Sequence, residues 1–211
     1  MPLLTTALLP VPLAPELSLY LADSRVGLFD LSGGEYRSDE PPPFWAFVWA
    51  GGQALARYVL DHPAEVRGRT VVDAAAGSGV AAIAAAKAGA ARVTAIDVDR
   101  NAAEAIRRNA AANAVTITAA AMDVTATEPT EVLLAGDVFY SSAVAGGMTA
   151  FLRDRARRGT RILVGDPGRG YFPERLFRQV AQYVIPVPAA LEETETLVTG
   201  VYEIRTTIGA G

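Results

Sequence analysis

Between residues 70 and 166 the sequence keeps switching between short apolar runs and longer alanine-rich runs. This rhythm limits the fold more than any other feature. "TVVDA" (70–74), "RVTAID" (92–97), "VTITAA" (115–120), "EVLLAGD" (131–137) and "TRILVGD" (160–166) read as strands. "VAAIAAAKAGA" (80–90), "DRNAAEAIRRNAAAN" (99–113) and "VAGGMTAFLRDRARRG" (144–159) read as helices, with Gly89 near one C-cap and Asp99 at the next N-cap. "PERLFRQVAQY" (173–183) predicts a further helix with proline early in it. The tail, "YVIPVP" (183–188) and "ETLVTGVYEIRTT" (195–207), predicts two strands with no helix between them. The pattern is that of an α/β chain: a Rossmann-like, seven-stranded, mainly parallel twisted sheet with helices on both faces. In such a sheet the ligand lies beyond the C-terminal ends of the strands, where the strand order reverses.

The first fifty residues are irregular. Pro15-Glu16 predicts the opening of a short helix through Leu21, and "SGGEYRSDEPPP" (32–43) a flexible connector. "FWAFVWAGG" (44–52) is an aromatic cluster, in which Phe44 and Phe47 read as core or lid packing. "GQALARYVLDH" (52–62) predicts a helix with Leu55, Val59 and Leu60 on one face, ended by His62-Pro63. The organisation expected is an N-terminal extension and aromatic lid over 1–50 and a ligand-binding domain over 51–211, forming one compact unit.

Composition removes several chemistries. There is no cysteine and one histidine, which rules out disulfides, thiolate catalysis, a histidine triad and multi-histidine metal sites. A net charge of −4 argues against general affinity for nucleic acid or anionic membranes. The basic run "RDRARR" (153–158) reads as an exposed face that offsets a helix dipole. The apolar N-terminus has no basic start and is broken by Pro10, Pro12 and Pro15. The expectation is a cytoplasmic protein without a membrane span.

"VVDAAAGSGV" (71–80) carries the nucleotide question. "GSGVAA" fits G-x-G-x-x-A, and Asp97 follows Gly77 by 20 residues, as in a dinucleotide fingerprint. Three features favour S-adenosylmethionine over NAD. Asp73 stands four residues before Gly77, and a carboxylate beside a pyrophosphate is repelled by about 1–4 kcal/mol at about 4 Å. The same carboxylate favours the ammonium of a phosphate-free, cationic cofactor. The loop is also longer than a dinucleotide fingerprint, with Ala74–Ala76 intervening. The third strand ends in Met122 and Asp123, placed to cover an adenine and accept its exocyclic N–H.

"LAGDVFY" puts Asp137 and Tyr140 on one short turn where a methyl acceptor approaches. A lysine acceptor must be neutral, and deprotonating one at pH 7.4 costs about 4 kcal/mol. Asp137 reads as the group that orients the amine and Tyr140 as a hydrogen-bonding wall. The other readings are a capping acid and a packed tyrosine.

The stretches "PPPFWAFVWAGGQALARYVLDHP" (41–63), "VVDAAAGSGVAAIAAAKAGA" (71–90), "AIDVD" (95–99), "LAGDVFY" (134–140) and "VGDPGRGYF" (164–172), with "PELSLYLAD" (15–23) more loosely, resemble the lysine methyltransferases of the electron-transfer flavoprotein β subunit. That family sits within the seven-strand, class I methyltransferases. The resemblance implies an S-adenosylmethionine-dependent N-methyltransferase that yields S-adenosylhomocysteine and acts on protein lysines, such as those of the flavoprotein β subunit. It places Trp49, Asp73, Gly77, Gly79, Asp97 and Asp123 around the cofactor, with Ala75, Val98 and Met122 completing the set. It places Asp137 and Tyr140 beside the target lysine and requires no metal. Asp166 is expected to hold its loop and Arg169 to meet an acidic partner surface. Alternatives from outside the resemblance are a small-amine or natural-product methyltransferase and a non-catalytic nucleotide-binding regulator. The sequence departs from the family at Ala75, where a glycine is usual, at Ala76, over 24–40, and at Tyr202 in place of a tryptophan. Alanine is tolerated at 75 if the backbone there avoids positive φ.

Overall fold

The strand–helix rhythm folds as it reads. The computed structural model describes residues 5–23, 42–187 and 194–205, and the expected connector lies almost wholly outside them. Strands β3 (Thr70–Ala74), β4 (Arg92–Asp97), β5 (Thr118–Ala121), β6 (Val132–Gly136) and β7 (Arg161–Asp166) run parallel. Strands β8 (Phe177–Pro186) and β9 (Thr196–Ile204) close the sheet as an antiparallel ribbon. The order is β5-β4-β3-β6-β7-β9-β8, so the chain steps one way from β3 and the other way from β6. That reversal opens a crevice between the ends of β3 and β6. The central strands are apolar on both sides because both faces are covered: all but the last residue of β6 are buried, as are all but the first of β7.

Helices α1 (Ala50–Asp61), α2 (Val80–Lys87) and α3 (Arg100–Ala112) cover one face. Their core joins Leu55, Val59, Ile106, Val71, Leu134 and Leu163. Helix α4 (Ser142–Arg157) covers the other, where Phe151 and Leu152 pack with Leu133, Ile162 and a trio of rings, Phe139, Phe172 and Phe177. Asp99 caps α3 by accepting from Asn101 N, and Gly89 follows α2 at φ 93°. The run at 153–158 is not wholly exposed: Arg155 is buried and donates to the Thr127 carbonyl. Among the described residues no helix is long and apolar enough to cross a membrane.

Two expected helices are strands. Residues Ala14–Ala22 form β2, paired antiparallel with β1 (Thr6–Val11). Leu17, Leu19 and Leu21 are buried at a spacing of two, which only a strand presents on one face. The outer edge of β2 is met by α3: Asn113 Oδ1 accepts from Ser18 N at 3.0 Å and Asn109 Oδ1 from Tyr20 N at 2.7 Å. The hairpin thus packs onto α2 and α3. Residues 173–183 give one short 3-10 turn (Glu174–Leu176) and then β8, whose ladder with β9 runs from Phe177↔Ile204 to Pro186↔Thr196. A partner strand outweighed a weak local helix preference.

Candidate active site

The loop after β3 is shaped by left-handed residues. Gly77 has φ 50° and Gly79, at the N-cap of α2, has φ 80°. Ala75 has φ 52°, so the expectation that it avoids positive φ is overturned. Ala76 N bonds to Ile96 O and Gly77 N to Asp97 Oδ2, which docks the loop on the end of β4. Those contacts hold Ala75 where L-residues are disfavoured by about 1–2 kcal/mol.

Asp73 is buried under this loop, and its Oδ2 accepts from Ala82 N, the third residue of α2, at 2.9 Å. The acid therefore caps the helix from a neighbouring strand. Burial pushes its pKa up to about 7; the Ala82 amide opposes this and the Asp97 charge adds to it. Asp97 accepts from Gly77 N and Asp99 N, and burial also raises its pKa against those amides. Asp123 is exposed and engaged with Thr125 N and Oγ1, which lower its pKa. Met122 lines a cavity of about 350 Å³ with Thr94 and Ile96.

The residues present fit an adenosyl cofactor without phosphate. A Cβ at Gly77 would meet no protein atom within 4 Å, so the loop leaves open space there. The loop over 73–79 has an acid but no cationic side chain to neutralise a phosphate, and a second acid, Asp97, sits beside it. Val98 is 77% exposed next to Asp97, as an apolar platform. Trp49 donates from Nε1 to Phe44 O at 2.9 Å. The Phe44 ring lies 5.9 Å from both Trp49 and Tyr140, which makes an aromatic rim.

The exit from β6 differs. Gly136 and Gly165 face each other across β6 and β7, and the N-terminal turn of α1 rests on them. A Cβ at Gly51 would run into the Gly165 carbonyl, one at Gly165 into the Gly51 carbonyl, and one at Gly136 would sit 2.8 Å from Gly52 N. These glycines stand in the quoted motifs, but their role is visible only as backbone-to-backbone packing. Asp137 follows Gly136 at φ 55°, and its N donates to Gly165 O. Its Oδ2 accepts from Gly52 N, the third residue of α1, at 3.0 Å. Its Oδ1 is buried without a hydrogen-bond partner, and Arg169 Nη2 stands 3.8 Å from it. Burial raises the Asp137 pKa to about 7; Arg169 and the Gly52 and Gly51 amides pull it down, and Asp166 pushes it up.

Asp137 and Tyr140 have different neighbours. Asp137 turns inward to α1, with 11% of its side chain exposed. Tyr140 is 51% exposed and turns to Phe44; burial and the Asp97 charge raise its pKa. Asp166 holds its loop as expected, with Oδ1 accepting from Gly168 N at 2.7 Å and Arg169 N at 2.9 Å. Arg169 faces Asp137 across the site. The lone histidine, His62, packs against Tyr58 with its ring tilted by 55°, at the far end of α1.

Known proteins resemble this chain in sequence and in fold. Residues 54–145 fit the family model for ribosomal protein L11 methyltransferase. The fold resembles a ribosomal protein L11 methylase from Lactobacillus delbrueckii subsp. bulgaricus, with TM-score 0.57 and 18% identity over 93% of this chain and 99% of that one. It also resembles the magnesium protoporphyrin IX methyltransferase of Synechocystis PCC 6803 with bound S-adenosylmethionine, with TM-score 0.52 and 14% identity over 73% and 79% of the two chains. The electron transfer flavoprotein beta subunit lysine methyltransferase of Mus musculus is 34% identical over 92% of this chain and 78% of its own. At 34% identity over most of both chains, the chain belongs to the electron transfer flavoprotein beta subunit lysine methyltransferase family and is an S-adenosylmethionine-dependent methyltransferase.

Proposed function

We propose that this enzyme methylates lysine side chains of a protein, the electron-transfer flavoprotein β subunit or one that presents its lysines alike. The observation that carries this reading is Asp137: a buried carboxylate one strand away from the glycine loop, with Oδ1 unengaged. An unengaged buried acceptor matches an amine that must be oriented. When bound, S-adenosylmethionine supplies an electrophilic methyl on a sulfonium. Gly77, Gly79 and the left-handed Ala75 form the cradle for it, Asp73 contributes negative charge, and Asp97 suits a ribose diol. Val98, Met122 and Asp123 border the base, and Trp49 closes the rim.

Asp137 accepts an N–H from the lysine and sets the direction of its lone pair. The lysine proton leaves to water before transfer, because a carboxylate beside the amine favours its charged form; Asp137 orients rather than deprotonates. Tyr140 and Phe44 wall the crevice and exclude water. Intact-mass analysis of the flavoprotein β subunit after incubation with enzyme and S-adenosylmethionine tests the assignment. Methyl increments mapped to lysines are the expected result; an unmodified β subunit, with activity on small amines instead, would overturn it.

A further inference from the structure

The "GDPGR" stretch has no part in cofactor binding as described, yet it is anchored on the acceptor side. Asp166 is fully buried (0% exposed) and accepts two amides from its own loop, one of them that of Arg169. The loop is thereby fixed, and the Arg169 guanidinium lies at 3.8 Å from Asp137 Oδ1. That separation lies within ion-pair range and beyond hydrogen-bond reach. Since Asp137 Oδ2 is taken by Gly52 N, the arginine gives Asp137 a counter-charge without occupying its last acceptor.

We propose that Arg169, fixed in place by Asp166, is a positioning residue for methyl transfer: it keeps the buried Asp137 carboxylate ionised while leaving Oδ1 to receive the N–H of the acceptor amine. This rests on the reading of Asp137 given above. The groups acting on Asp137 are the Gly51 and Gly52 amides of α1, Arg169, and Asp166 at the end of β7; Tyr140 on its own turn lies near Phe44. Arg169 and Asp166 act on Asp137 with opposite sign, the cation favouring its charged form and the acid disfavouring it. That opposition distinguishes this role from a purely structural one.

The test is the pH profile of kcat/KM for the flavoprotein β subunit, from about pH 6 to about pH 9 at saturating cofactor, with cofactor affinity by calorimetry as a control. Arg169→Gln is expected to move the acidic break up by about one pH unit, so that the loss is about 10-fold at the acid end and vanishes at the alkaline end. Arg169→Lys restores the break. Asp166→Asn still accepts both loop amides through its Oδ1, so the loop stays in place; without the acid's charge, the break moves down. Unmoved breaks, or losses equal at every pH, would overturn the proposal. If Arg169→Gln does not fold, the downward move of Asp166→Asn decides. Asp137→Asn is the separate control: full activity there removes the reading of Asp137 itself, whereas activity lost in Asp137→Asn with unmoved breaks in the other variants removes only the role of Arg169.

Discussion

Strands β3 and β6 lie side by side, and the chain leaves both in the same manner. The first residue past each, Ala75 and Asp137, is left-handed. Each exit sends one carboxylate oxygen to the third amide of a helix, from Asp73 to α2 and from Asp137 to α1. Burial lifts both acids to about 7. Their surroundings separate them. The charged neighbour of Asp73 is another acid, Asp97, so a cationic ligand relieves that exit. Asp137 has Arg169 beside it and one unengaged oxygen, so what it lacks is a hydrogen-bond donor rather than a charge. One structural device, a strand-end acid on a helix N-terminus, therefore stands in two electrostatic settings, beside another acid at one exit and beside an arginine at the other.

The largest way to break the parallel is to add a methyl group at the β6 exit. Gly165→Ala drives Cβ into the Gly51 carbonyl, and a loss of about 3 kcal/mol or more is expected in urea denaturation, or no soluble protein. Next comes Asp137→Asn, which should lower turnover about 100-fold, or about 2.7 kcal/mol, while leaving cofactor affinity within about twofold. Asp73→Asn should do the reverse, weakening cofactor binding first. Equal effects of the two on calorimetric affinity would collapse the distinction.

Stability against pH sharpens what the two exits share. Their folded pKa values lie above the unfolded value of 3.8, so between about pH 4 and about pH 7 the folded chain holds the extra protons. The contribution of each acid to stability thus falls as pH rises through that window, opposite in sign to ordinary acid denaturation. Asp73→Asn, which keeps an acceptor for Ala82 N, should gain stability over the parent as pH rises through that window, with little difference at about pH 4. Gly77→Ala is the counterpart of Gly165→Ala at the β3 exit. It meets open space, so the fold should lose about 1 kcal/mol from backbone strain while cofactor affinity falls about 10-fold. The smallest effect is Ala75→Gly, which relieves the left-handed alanine and should stabilise by less than about 1 kcal/mol in the same denaturation assay.

The β3 exit was legible in the sequence and the β6 exit only in part. Asp73 and Ala82 are nine residues apart, inside one strand–loop–helix unit whose glycines mark the turn. Asp137 and Gly52 are 85 residues apart, and nothing local to either announces the other. Asp137 and Tyr140 share a turn, yet the acid bonds to Gly52 and the tyrosine ring lies near Phe44. The left-handed Ala75 was not foreseen, because the contacts that impose it come from Ile96 and Asp97 on the next strand.

The sequence by itself determined the alternating units and the choice of a phosphate-free cofactor. Those follow from periodicity and from charge near a glycine loop, which are properties of short segments. Tertiary structure decided that residues 14–22 and 177–186 are strands, because ladder hydrogen bonds need a partner that local propensity does not see. It also decided how the second acid is held. Only packing glycine against glycine brings the first turn of α1 onto the ends of β6 and β7, and only that contact leaves Asp137 with one oxygen satisfied and one unengaged.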